Sequence, residues 1–152
     1  MYEKYESALS GRYASEYMLS LFSQYERART WRLLWVSLAK AQNKLGLPVS
    51  SEQVRQLEEH TDDIDFECIK NREKEVRHDV MAHVKAYGAY AKTAMPIIHL
   101  GATSCFVNCN AEAIMLSDAL DIVLKKLVNV IDRKSTRLNS SHAKTSRMPS
   151  SA

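Results

Sequence analysis

Residues 23–45 place Trp31, Leu34, Trp35, Leu38, Ala41 and Leu45 at steps of three and four. Successive helical residues turn by about 100°, so these six side chains form one face of a helix. Gly46 stands where a helix C′ residue belongs, and Pro48 keeps the helix from resuming. A stripe of this length must be covered by other elements. The rest of the chain supplies helices to do so, because four Gly and three Pro in 152 residues leave few breaks. The expected fold class is all-α.

Shorter helical patterns flank this one. Ser15 is placed to cap a helix from Glu16, with Tyr17, Met18, Leu21 and Phe22 as its apolar side. Residues 1–14 show no helical stripe and read as an extended arm. Ser50 and Gln53 have capping-box spacing ahead of Val54 and Leu57. Asp63 is a candidate cap for the next helix, which carries Ile64, Cys68 and Ile69; from Val76 the stripe continues as Val80, Val84 and Tyr87. Residues 92–110 break the pattern at Pro96 and Gly101 and read as a long loop, with a short strand at Ile97–Leu100. Asn110 is the expected cap of a last helix over 111–131. That helix is apolar on much of its surface through Ile122, Val123, Leu124, Leu127, Val128, Val130 and Ile131, so it calls for partners on several sides.

Charge and cysteine usage exclude some functions. Residues 1–131 hold sixteen Lys and Arg against seventeen Asp and Glu, a net −1, whereas residues 132–152 hold five against one, a net +4. The basic character belongs to the tail, so it is no footprint for nucleic acid. That tail, "DRKSTRLNSSHAKTSRMPSSA", lacks a hydrophobic period and reads as disordered. Its two ends resemble translated sequencing-adapter DNA, and it is expected to be non-native. Cys68, Cys105 and Cys109 form no CxxC pair and no zinc pattern, which suits reduced thiols in the cytoplasm and no metal site. No apolar run reaches the roughly 18 residues a membrane helix needs.

Three stretches carry chemistry. "RHD" sets Arg77, His78 and Asp79 side by side, where they fan out along a helix or converge at a helix end or kink. On the column of His78 follow Ala82, Ala86 and Ala89, small enough to admit a ligand or another backbone. His83 lies five residues on, which is not the i, i+4 spacing of a helical metal pair. In "HLGATSC", Gly101 frees the backbone, and Thr103 and Ser104 offer hydroxyl and N–H groups to an anion. His99 there is open to either reading, site or satisfied loop histidine. Arg12 beside Tyr13 offers a guanidinium fork ahead of a helix start.

Taken together, "RYAS" (12–15), "RTWRLLWVSLAKAQNKLGLP" (29–48), "RHDVMAHV" (77–84) and "IIHLGATSCFV" (97–107) resemble, in order, the N-terminal part of the adenylosuccinate lyase family of the aspartase/fumarase superfamily. The likeness is closer to the animal-type enzymes than to distant bacterial ones. It implies a small-molecule nucleotide substrate, a homotetramer, no cofactor, and substrate contacts at Arg12, Tyr13, Arg77, His78, Asp79, Thr103 and Ser104. It also implies a β-elimination that releases fumarate, with His78 in an auxiliary role. The family's principal acid and base lie in "THxQPA"-type and "SSxMPYKxNP"-type segments. Neither pattern occurs here, so the polypeptide alone is expected to be inactive. The implied organisation is an N-terminal helical domain over 1–110, the start of the central helical bundle over 111–131, and the tail. Two alternatives stay open: another fumarate-releasing lyase of the superfamily, and a non-catalytic helical interaction module built on the apolar helix 111–131.

Overall fold

The computed structural model describes residues 7–145, and side chains as far as residue 134. The described residues are helical, with turns and no strand, in line with the all-α expectation. The chain divides into two compact units, residues 1–115 and 116–152.

The first unit begins with a π-helical turn, Leu9–Tyr13. The expected extended arm is therefore coiled at its end: the Ala14 N–H returns to the Leu9 carbonyl at 2.7 Å, while residues 1–6 lie outside the described residues. Helix α1 (Glu16–Leu21) is capped by Ser15, whose hydroxyl accepts from the Met18 N–H at 3.3 Å. Helix α2 (Gln24–Lys44) is capped by Ser23 and released at Gly46, whose φ of 76° suits glycine. Helix α3 (Ser51–Glu59) opens with the capping box of Ser50 and Gln53. Helix α4 (Phe66–Val76) is capped by Asp65 and not by Asp63. Asp65 accepts from the Cys68 N–H at 2.9 Å, whereas Asp63 is occupied 2.7 Å from His60 Nδ1.

Helix α5 (Asp79–Tyr90) follows after a two-residue break. The loop expected over 92–110 is shorter and tighter than its composition suggests. Its supposed strand is a 3-10 turn at Met95–Ile97 followed by further turns, and helix α6 (Ser104–Thr145) starts seven residues before the expected 111. Burial of Val107 and Ala111 selects the helical path through a stretch whose local propensity is poor. Asn110, expected as a cap, lies inside α6 and donates to the Phe106 carbonyl at 2.7 Å.

Trp31, Trp35, Leu57, Val80, Val84, Tyr87, Ile98 and Val107 belong to one continuous core that joins α2, α3, α5, the turn after it and the start of α6. A second small core sets Ile69 of α4 against Ala82 and Ala86 of α5. On the column of His78, Ala82 and Ala86 thus admit a neighbouring helix and not a ligand, while Ala89 is exposed.

In the second unit, the helix backbone continues to Thr145, where the sequence suggested irregular chain. Extending a formed helix costs far less than starting one, and no Gly or Pro interrupts the chain before Pro149. The expectation for 146–152 lies outside the described residues. Leu116, Leu120, Val123, Leu124, Leu127, Val130 and Ile131 are each more than half exposed, so the apolar excess read from the sequence stays uncovered.

Candidate functional site

The candidate site is built on the break between α4 and α5. Helix α4 ends at Arg77, whose φ of 51° and ψ of 36° put a non-glycine residue in the left-handed region. Its N–H closes the helix on the Glu73 carbonyl at 2.8 Å. His78 is extended and serves as the N-cap of α5, its Nδ1 accepting from the Met81 N–H at 3.4 Å. Asp79 is the first residue of α5, with Oδ1 3.5 Å from His78 Nδ1 and 2.7 Å from the Val80 N–H. The break therefore brings three exposed side chains to one helix start, anchored from below by the fully buried Val80.

The two contacts at His78 Nδ1 call for opposite forms of the ring. A bare Nδ1 takes the Met81 N–H and leaves the proton on Nε2, whereas a protonated Nδ1 pairs with Asp79. The Met81 contact thus leaves Nε2–H as a donor, whereas a neutral ring protonated on Nδ1 leaves Nε2 bare as an acceptor.

The second stretch, 97–104, is tied to the core by Ile97 and Ile98. Gly101 has φ 73°, the conformation that turns the chain ahead of Thr103. The Leu100 carbonyl accepts from Gln42 Nε2 at 2.8 Å, and Trp35 Nε1 donates to His99 Nδ1 at 2.9 Å, so α2 fixes this turn from behind. Thr103 is exposed and Ser104 half-buried as the first residue of α6. Burial, and then the charge of His78, hold His99 below the usual histidine range. Val80 and Val84 of α5 share one core with Ile97 and Ile98 of the turn, and this sets the two stretches side by side.

Arg12 and Tyr13 stand apart. They close the π-helical turn, both are exposed, and among the described residues neither makes a hydrogen bond or ion pair with the other five.

A cavity of about 630 Å³, lined in part by Asp79, opens between α2, α4 and α5. Arg27, Trp31, Phe66, Lys70 and His83 contribute to its wall. His83 sets its ring against Trp31 with centroids 4.8 Å apart, and burial, reinforced by Arg32, pushes it down to about 4. Arg27 lies over the same indole at 5.1 Å and donates to Asn108 Oδ1 at 3.4 Å. Sequence reading passed over this cleft. Its signal was the pair of i, i+4 spacings Arg27–Trp31 and Asp79–His83 on two separate helices.

Comparison with known proteins extends this geometry. No family model matches the chain. Among curated proteins, the adenylosuccinate lyase of Saccharomyces cerevisiae is 50% identical over 135 residues, 87% of this chain and 28% of the relative. That of Schistosoma mansoni is 45% identical over 132 residues, 87% of this chain and 28% of the relative. The chain belongs with the adenylosuccinate lyases. The bacterial adenylosuccinate lyase of Aquifex aeolicus is more distant, 30% identical over 80% of this chain and 28% of its own length. The chain thus spans a little over a quarter of these adenylosuccinate lyases, 28% in each case.

Proposed function

We propose that this chain supplies substrate-binding segments of a C–N lyase that cleaves adenylosuccinate to AMP and fumarate. The same site would cleave the succinyl-carboxamide ribotide of purine synthesis to the carboxamide ribotide and fumarate. The observation that carries this reading is the shared core that joins "RHDVMAHV", through Val80 and Val84, to "IIHLGATSCFV", through Ile97, Ile98 and Val107, since these are two of the stretches on which the resemblance rests.

The substrate bears a phosphate and two carboxylates. Arg77 and Arg12 are charge-assisted donors for such groups, and Tyr13 adds a hydroxyl donor or a ring face. Thr103 and Ser104 present hydroxyl and N–H groups to a succinyl carboxylate. His78 donates through Nε2–H, with Asp79 beside its other nitrogen. β-Elimination removes the proton α to a carboxylate, so negative charge grows there, and donors already aimed at it lower the barrier. A general acid then protonates the departing nitrogen. The principal acid and base come from segments this sequence does not contain, and no cofactor or metal enters the scheme. The separation of Arg12 and Tyr13 from the other five fits a homotetramer in which one site draws on several subunits. In that arrangement residues 111–131 begin the central bundle and 1–110 form the N-terminal domain. No helix among the described residues is long and apolar enough to cross a membrane, and a cytoplasmic enzyme is the reading adopted.

The test is a fumarate-release assay on the complete polypeptide encoded by the gene, beside the 152-residue chain alone. The complete protein should release fumarate from adenylosuccinate and the short chain should not. A complete protein that cleaves argininosuccinate or hydrates fumarate instead would belong elsewhere in the superfamily. One observation favours a second reading. The uncovered apolar side chains from Leu116 to Ile131 suit a helical interaction module. A complete protein with no lyase activity, together with a well-folded monomer of residues 1–131, would favour it.

A further inference from the structure

The core residue Trp35 has a polar task that packing does not explain. It is fully buried, yet its indole N–H is directed at His99 Nδ1 at 2.9 Å, with the two rings edge to face at 89°. An indole N–H can only donate, so Nδ1 must be bare, and the neutral ring carries its proton on Nε2. With the ring placed in this way, the indole fixes the tautomer of His99. Among the described residues, Nε2 has no protein hydrogen-bond partner, and the ring is half-buried on the turn that leads into Thr103 and Ser104. From α5 the titratable group acting on His99 is His78; α2 presents the uncharged Trp35 and Gln42.

We infer that Trp35 is a positioning residue of the site, holding His99 as an Nε2–H donor and fixing which ring nitrogen is left for an anionic group of the substrate. This rests on the lyase reading for the identity of the anion. His78 has a like arrangement when its Nδ1 takes the Met81 N–H, since its proton then lies on Nε2 as well. Protonating His99 at Nδ1 would displace the indole from its acceptor and leave a buried donor unpaired, so the indole also opposes charging of the ring.

The complete protein is compared with W35F, which keeps a ring in the core but removes the donor. Deuterium exchange at the imidazole C2 position, followed by mass spectrometry, reports the titration of His99 without requiring activity. His99 in W35F should titrate at a higher pH than in the unsubstituted protein. For fumarate release, W35F should lose about tenfold in kcat/KM, mainly through KM, and W35F/H99A should be no worse than H99A. An unchanged titration of His99, or losses that add in the double variant, would overturn the inference. If W35F fails to assemble, melting of two His99 variants decides. H99N keeps an acceptor where Nδ1 stood and should melt like the parent, while H99L strands the indole and should melt several degrees lower. Equal melting of the two overturns it. Absence of fumarate release from the unsubstituted protein would count against the lyase reading alone, because the exchange and melting measurements do not depend on it.

Discussion

The guanidinium of Arg32 lies 4.3 Å from the centre of the Tyr87 ring, and both side chains are buried to within 2% of complete exclusion from solvent. Burial lowers the basicity of Arg32 and pushes the Tyr87 hydroxyl up to about 12. The charge is retained because Nη1 donates to the His60 carbonyl at 2.5 Å and the Thr61 carbonyl at 3.4 Å, while the ring face covers the plane. Tyr87 in turn donates to the Leu57 carbonyl. The pair ties α2, the end of α3 and α5 together.

R32M should therefore destabilise the protein by about 3 kcal/mol, from lost charge-assisted hydrogen bonds and ring contact. R32K should recover little of this, since a compact ammonium cannot both cover the ring and reach the carbonyls in the guanidinium's planar fork. Chemical denaturation of the three proteins checks it. Equal midpoints for R32K and the parent would show that charge alone suffices.

Arg32 also marks a limit on what the sequence shows. It sits between Trp31 and the next stripe positions, and an arginine there defaults to the solvated side. Only the carbonyls of His60 and Thr61, just past the end of α3, explain its burial, and they are 28 and 29 residues away. What was legible was local: the stripe of α2, the serine caps at 15 and 50, the capping box, and Gly46 as a terminator. The start of α6 at Ser104 was not, because Val107 and Ala111 owe their helical state to tertiary burial. Of the candidate site, residue types and spacing pointed to Arg77, His78 and Asp79. The left-handed turn at Arg77 is set by the packing of α4 on α5 and has no local signature. The cleft at His83 was missed because its two halves are carried by helices far apart in sequence.

Gly88 faces Met95 across the α5 end. A Cβ built there would lie 2.5 Å from Met95 Cγ and 2.9 Å from its Cβ. Gly→Ala inside a helix normally gains about 1 kcal/mol. Here the 3-10 turn must move, and G88A should instead cost about 1–2 kcal/mol. Because that turn leads into Thr103 and Ser104, KM should rise as well. M95G in the same chain removes both clashing atoms and should restore stability towards the parent; a G88A protein as stable as the parent would show that the turn yields freely.

His83 predicts an acid-sensitive fold. Its folded value is near 4 against an ordinary 6.5, so between these values the unfolded chain binds the proton that the folded chain refuses. Stability is thus complete above about pH 6.5 and falls as pH drops towards 4, by up to about 3 kcal/mol. Melting temperatures measured at pH 7 and pH 5 should differ for the parent and differ less for H83Q. An H83Q protein with the parent's full loss between the two values would assign the acid sensitivity to other groups.

Arg77 allows backbone and side-chain roles to be separated. Its left-handed conformation costs an ordinary residue about 1 kcal/mol and costs glycine nothing. R77G should therefore keep or slightly raise the melting temperature, while R77A should leave it near that of the parent because the strain is unchanged. Both variants lose the guanidinium. If Arg77 grips an acidic group of the substrate, both should weaken kcat/KM by about 10- to 100-fold, the worth of one charge-assisted hydrogen bond. Stability and activity then move independently in R77G, which a purely structural arginine cannot produce. A fully active R77G would remove Arg77 from the site and leave it as the residue that ends α4.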